Sequence, residues 1–407
     1  MAQALYPRPF GRGIEESKRL IMANTNHPSH YQRTARILTV ACGLHFFAFS
    51  FVYLYVFQAR VLEALHYSLA DGKTQFWAFG CAFLLSVVLL LLRWGVNAVL
   101  GLKGAIRTLS YFPSFLLLGV MTDVDYSLYQ DGISSAWAWK FPLFLALFLV
   151  VVFVLRRLLR WWLDIEIDSG VMTISNLGIL LIFSLMTVSI GNTDIHFQHR
   201  LYVEQALREG RWDDVRRIGA KVVDPDRPLT VLRHYALSRN GQLGEYLFQM
   251  PQLYGAEGLL PDASDSRVLR FTPDTLYHYL GGRPQAGERA VDFFHRLCHE
   301  ETGNHTTLDY YLSALLLDGQ LNAFVEALRT LSVDASDSLP RHYREALFLY
   351  EQLHPSVTPT VTDEAMRQQW ESYQALKQEL RGKVEETNFM RREFGHTFWW
   401  YYEYSNL

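Results

Sequence analysis

Cysteine is scarce in this chain, three in 407 residues. Cys42 and Cys81 stand inside apolar runs and Cys298 stands alone, so a disulfide framework has nothing to build on, although an oxidising compartment stays open. An excess of positive charge is missing as well: 38 Lys and Arg face 41 Asp and Glu. A phosphate-binding face needs a basic surface, so nucleic acid is not an expected partner. The chain also lacks a nucleophile elbow, a phosphate-cradling glycine loop and a paired catalytic carboxylate. No enzyme, cofactor or metal is therefore expected.

What the chain has is an uneven distribution of charge and apolar residues. Up to Gly191 it carries 15 Lys and Arg with 10 Asp and Glu; from Asn192 onward the numbers are 23 and 31. The front half is basic and rich in apolar runs, the back half acidic. A membrane helix needs roughly 20 mainly apolar residues to cross about 30 Å of hydrocarbon. Five segments qualify: Arg36 to Phe57, Gln75 to Leu92, about Ile106 to Met121, Trp137 to Leu155, and Val171 to Ile190. The first follows a charged tail with no prompt small-residue cleavage site, so it is expected to be retained. The third is short and contains Pro113; it crosses as a kinked helix begun near Ala98, or dips in and returns.

Connection charges give a direction. Twelve basic residues lie in the tail (Arg8, Arg12, Lys18, Arg19, Arg33, Arg36) and in the second and fourth connections (Arg93, Lys103, Arg107; Arg156, Arg157, Arg160). Arg60, Lys73 and Lys140 are the three on the other side. The positive-inside rule then puts the N-terminus in the cytoplasm and, after five crossings, Asn192 to Leu407 in the periplasm of a bacterial inner membrane. Trp137 and Trp139, and Trp161 and Trp162, read as interfacial belt residues. His45, inside the first span, reads as a bundle-facing polar residue rather than a proton carrier.

From Ile195 the period changes to short amphipathic helices joined by glycine turns. Gly210-Arg211-Trp212-Asp213-Asp214-Val215, Gly241-Gln242-Leu243-Gly244-Glu245-Tyr246 and Gly319-Gln320-Leu321-Asn322-Ala323-Phe324 share a large apolar residue two positions after the glycine and another apolar residue five after it. A looser copy runs from Gly282 to Ala290. Each predicts a helical hairpin that must stack on a neighbour to bury its face. Ala206-Leu207 through Gly210, Trp212 and Val215 to Asp224-Pro225 resembles a tetratricopeptide unit, with Val215 where Ala is usual. The glycine intervals of 31, 41 and 37 scatter about that family's repeat of about 34.

A broader resemblance rests on Asn192 to His199, on Ala236 through Gly241 and Gly244 to Phe248, and on Gln252 through Gly255 to Leu259. These stretches resemble an uncharacterised group of Bacteroidota membrane proteins that join a multi-span front to a repeat-like rear. That resemblance implies lineage and layout, and no chemistry. The segment Pro251 to Pro273 reads as an ordered loop over the hairpin groove, Arg341 to Leu353 as a helix, and about Thr362 to Val384 as a terminal capping helix.

Several residues are candidates for contact or chemistry. In the terminal run Trp399, Trp400, Tyr401, Tyr402 and Tyr404 offer aromatic faces for a partner protein, the lipid surface or a sugar, against the alternative that the tail docks on its own core. His196 and His199, three apart near the membrane exit, suit a metal or proton relay, against a solvated helix. Asp123 and Asp125, just outside the third span, resemble the loop acids of polyprenyl-linked glycosyltransferases. His299-Glu300-Glu301 and His305 lack the His-Glu-x-x-His spacing that zinc proteases need.

These readings converge on an all-α protein: a cytoplasmic tail (1–35), a five-helix transmembrane bundle (36–191), a periplasmic tetratricopeptide-like domain (192–355), and a capping helix with aromatic tail (356–407). The expected partners are the lipid bilayer and another envelope protein. The expected role is an interaction and assembly scaffold; the alternative is a subunit of a cell-envelope glycan-processing enzyme or transporter with its site at the outer mouth of the bundle. A receptor for peptides is a third possibility.

Overall fold

The computed structural model describes residues 27–70, 73–124, 136–162, 169–218, 224–262, 271–300, 305–331, 339–355, 363–380 and 382–405. Every regular element among them is helical, and the chain divides into two compact units at Thr193 and Asp194. The tail before His27, Asp125, and the Ser/Asp cluster at 263–270 lie outside the described residues.

Among the described residues of the first unit, five helices are long and apolar enough to cross a membrane: Arg33–Phe57, Ala78–Leu100, Gly104–Thr122, Trp137–Leu158 and Gly170–Ile190. The second is longer than the sequence suggests. It continues through Arg93 and Asn97 to Leu100, where Gly101 at φ +59° closes it by donating to Asn97 O at 2.8 Å. Arg93 is thus a residue of the span and not of the connection, and Ala98 belongs to this helix instead of opening the next.

The third span starts as a tight 3-10 stretch, Gly104–Tyr111, and becomes α-helical over Phe112–Thr122. Asn176 of the fifth span explains the change of pitch. Its Oδ1 takes the Thr108 N–H (3.1 Å) and its Nδ2 donates to Gly104 O (3.0 Å), splitting the Thr108-to-Gly104 bond of a continuous α-helix. Pro113 sits in the first turn of the α-helical part, where its missing N–H costs nothing, so it does not kink the span. Nor does the segment dip and return. It keeps pace with the fifth span throughout, through Thr108 to Asn176, Thr187 Oγ1 to Phe115 O (3.0 Å) and Asn192 N to Thr122 O (2.9 Å).

The second unit is a stack of short helices. We label them α1 (Ile195–Arg208), α2 (Trp212–Arg217), α3 (Arg227–Arg239), α4 (Leu243–Tyr246), α5 (Pro273–Leu280), α6 (Ala290–His299), α7 (His305–Leu317), α8 (Leu321–Thr330), α9 (Arg341–Leu353), α10 (Glu364–Glu379), α11 (Lys383–Phe394) and α12 (Phe398–Tyr404). The turns at Gly210, Gly241 and Gly319 share one geometry. Each glycine is left-handed, at φ 69°, 65° and 66°, and the residue after it donates five positions back: Arg211 to Ala206 O, Gln242 to Leu237 O, Gln320 to Leu315 O. That Schellman arrangement needs a residue without Cβ and reverses the chain into a hairpin. In the looser copy the left-handed residue is Gly281, not Gly282.

Two segments depart from expectation. Residues 251–262 do not simply lie over a groove: Gly255–Leu259 forms a short 3-10 turn packed against α3, α6 and α7, with Ala256 and Leu259 at most 1% exposed. Three polar links pin this wedge: Ala256 N to Asp318 Oδ1 (3.0 Å), Glu257 Oε1 to Ala290 N (2.9 Å), and buried His234 Nδ1 to Gly258 O (3.0 Å). The expected single capping helix is two, α10 and α11, separated by extended backbone at Leu380 and Gly382.

Candidate functional site

The aromatic run Phe398–Tyr404 is a helix, and its position is decided by Glu345 of α9. This carboxylate has lost nearly all contact with solvent, so each oxygen needs partners. Its Oε1 accepts from Arg341 Nε (2.8 Å); its Oε2 accepts from His342 Nδ1 (2.9 Å) and from the Phe398 N–H (2.8 Å). The Phe248 N–H donates to His342 Nε2 (3.3 Å), which leaves Nδ1 to carry the hydrogen that Glu345 receives. Burial pushes the Glu345 carboxyl up, but His342, Arg341 and the Phe398 amide outweigh burial, and the net direction is down.

The same residue's backbone completes the lock. Trp399 Nε1 donates to Glu345 O (2.9 Å), and the indole, 1% exposed, lies edge-on to Trp370 with centroids 5.1 Å apart. Tyr401 donates to Leu317 O (2.7 Å) and Tyr404 to Glu386 Oε1 (2.6 Å). Burial raises both phenols, Tyr401 to about 12. Trp399, Tyr401 and Tyr404 are therefore core residues, and the docking alternative describes them better than partner contact. Trp400 is half-buried and stacked on Tyr404, and Tyr402 keeps 37% of its surface.

The other sequence candidates lie apart from this lock. Asp123 follows the third span, where its Oδ2 accepts from Trp137 Nε1 at 2.6 Å; Asp125 is outside the described residues. Beside it, one end of the bundle is tied by short polar links. A π-helical turn, Tyr53–Phe57, ends the first span and turns Tyr53 OH toward Thr122 Oγ1 (3.0 Å), while Gln58 Nε2 reaches Asn192 O (3.2 Å). Gly191 fits there because a Cβ would collide with the Tyr53 and Thr122 oxygens.

His196 and His199 share helix α1, whose N-cap is Asp194, accepting from the His196 and Phe197 amides at 2.9 and 3.4 Å. Both rings are half-buried. No group of three or more His, Cys, Asp or Glu side chains able to hold a metal occurs among the described residues. His299 is committed to its own helix through His295 O (2.9 Å), and the His305 side chain is outside the described residues.

Comparison with known proteins places the chain. Residues 30–291 and 285–405 match the model of a family of unknown function, DUF6057. The chain belongs to that family. No curated protein and no solved structure matches it. The DUF6057 match runs through both units, so the apolar bundle and the helical stack are parts of one family pattern.

Sequence reasoning missed Glu345 and His342, since an Arg-His-x-x-Glu run on a helix reads as surface charge. The available signal was their place in α9 beside Tyr343, Ala346 and Leu347, all buried. It also missed the position of Arg93, for which the apolar continuation Trp94 to Leu100 was the signal.

Proposed function

We propose that this chain is a bacterial inner-membrane protein, of the kind its Bacteroidota resemblance implies, with a cytoplasmic N-terminus and a tetratricopeptide-like periplasmic unit that serves as an assembly scaffold in the cell envelope. The observation that carries the reading is the trio of left-handed turns at Gly210, Gly241 and Gly319, each stacking a short helical hairpin on its neighbour. The hairpins are unequal, since α2, α4 and α8 have 6, 4 and 10 residues, so the stack is a degenerate repeat. With Arg93 inside the second span, the bias of the remaining basic residues, eleven against three, still supports the direction.

The wedge at Gly255–Leu259 fills space between helices that a bare repeat would leave as a groove. The partner surface is accordingly assigned to the outer side of the last helices, where Val384, Phe389 and Tyr402 are 77%, 38% and 37% exposed. A photo-crosslinking residue at Tyr402 or Val384 in the full-length protein, followed by purification from native membranes, tests this. A stoichiometric envelope protein is the expected product; recovery of the chain alone contradicts the scaffold.

A second reading keeps one specific support. The Asp123 carboxylate stands at a bundle end, held by Trp137, as a glycan-processing or transport site at that mouth requires. Under it, Asp123→Asn and Asp125→Asn abolish complementation while loss of Phe398–Leu407 is judged only by folding.

A further inference from the structure

The opposite end of the bundle, where the first, third and fifth spans begin and the second ends, holds a recess lined by Thr39, Cys42, Arg93, Arg107, Thr108 and Asn176, among others. Arg93 is 6% exposed, and its Nε has no hydrogen-bond partner. Its guanidinium lies 4.5 Å from the centre of the Tyr111 ring, which holds the group but satisfies none of its donors. The Nε of half-buried Arg107 is likewise enclosed and unpartnered.

The hydroxyl and amide groups of the wall are already occupied. Asn176 spends its amide on Thr108, Gly104 and Met172, and Thr39 donates to Ala35 O at 2.6 Å. What remains is a wall with two guanidinium groups and, among the described residues, no acidic lining residue. A cation buried among apolar spans is costly unless an anion meets it. Guanidinium matches a phosphate by paired N–H donors in a planar fork. The flank beside the recess is apolar and outward-facing, with Ile37 and Val40 61% and 62% exposed. Basic pockets between spans hold the phosphates of lipid headgroups.

We propose that Arg93 and Arg107 form a binding site for a phosphate group, supplied by an anionic lipid headgroup entering beside the first span. The site is independent of whatever the second unit binds. The fourth connection carries the acids Asp164, Glu166 and Asp168, which lie outside the described residues, and the test includes their neutralisation.

The test uses the full-length protein in nanodiscs of phosphatidylcholine alone, of phosphatidylcholine with phosphatidylglycerol, and of phosphatidylcholine with inorganic phosphate in solution. Phosphatidylglycerol is expected to raise the thermal midpoint and to stay bound in native mass spectrometry. Arg93→Gln combined with Arg107→Gln lowers that retention by at least about tenfold, since the loss of even one charge-assisted hydrogen bond has that effect. Arg157→Gln, an exposed basic control, changes it less than about twofold. Should the double variant not fold, Arg107→Gln alone gives the same readout at a half-exposed position.

Stabilisation by inorganic phosphate alone keeps the phosphate site and overturns its lipid source. Three results overturn the site itself: no retained phosphatidylglycerol, equal loss in Arg157→Gln, or neutralisation of Asp164, Glu166 and Asp168 reproducing the arginine variants with no dependence on lipid.

Discussion

The two units solve opposite solvent problems with the same secondary structure. In the first, apolar side chains point outward: only 11% of the apolar stretch of Trp137–Leu158 is buried, against 56% for Gly104–Thr122, which packs between other spans. In the second, the apolar residues face inward around Leu229, Phe293, Phe324 and Trp399, each at most 1% exposed. Their buried polar groups differ too. Bundle hydroxyls mostly turn back on their own helices, as Ser86 does to Ala82 O (2.7 Å) and Ser184 to Leu180 O (2.9 Å). The helical stack buries charge and completes it with partners, as at Glu345. A helix in hydrocarbon satisfies polar side chains locally, whereas a folded unit in water can use a buried ion to fix one arrangement of its parts.

Breaking the Glu345 lock is the largest way to disturb that contrast. Glu345→Ala strands Arg341, the Phe398 amide and His342, and is expected to cost about 3–5 kcal/mol. Unfolding of the full-length protein in detergent, followed by intrinsic fluorescence, measures it; a loss below about 1 kcal/mol makes the lock incidental. Trp399→Ala removes a filled core volume at an expected cost of about 3–5 kcal/mol. Tyr402→Ala on the same helix stays within about 0.5 kcal/mol. Equal costs for the two contradict the inward and outward faces of α12.

Acid sharpens the comparison through two buried groups of the second unit, His234 and Glu345. Burial holds His234 neutral and lowers its pKa from 6.5 to about 4. Between those values the unfolded chain binds a proton that the folded chain refuses, so stability falls as pH drops from 6.5 toward 4, by up to about 3 kcal/mol. Glu345 adds in the same sense, since its lowered carboxyl loses its stabilising contribution as pH falls below 4.5. His234→Gln is expected to flatten the slope between pH 6.5 and about 4. An unchanged slope assigns it to other groups.

The bundle answers to steric changes instead. Gly191→Ala drives a methyl into the Tyr53 and Thr122 oxygens and is expected to cost about 1–3 kcal/mol. Smallest is Arg289→Ala, whose ion pair with Asp292 has both side chains more than half exposed, so its unfolding midpoint is expected to coincide with that of the unchanged protein.

Much of this division is legible in residue order. Runs of apolar residues locate the five spans, because lipid tolerates no unpaired backbone and so demands length. The hairpin glycines are legible because a left-handed turn excludes side chains. The second span's end was obscured by Arg93, since a charge ends an apolar count whether or not the helix ends. The 3-10 opening of the third span depends on Asn176, 68 residues away from Thr108, and such a side-chain insertion leaves no local mark. The tail misleads for a related reason. Composition shows that Trp399 to Tyr404 are aromatic, while which of them face inward depends on Glu345 meeting the start of that helix.

The assignment of the units to two solvents and two sides is tested most directly by labelling. In a background with Cys42, Cys81 and Cys298 replaced, single Tyr402→Cys and Arg157→Cys variants would be treated with a membrane-impermeant maleimide on spheroplasts, before and after lysis. Labelling of Tyr402→Cys on intact spheroplasts, with Arg157→Cys reacting only after lysis, is the predicted result. The reverse pattern, or labelling of both before lysis, contradicts it.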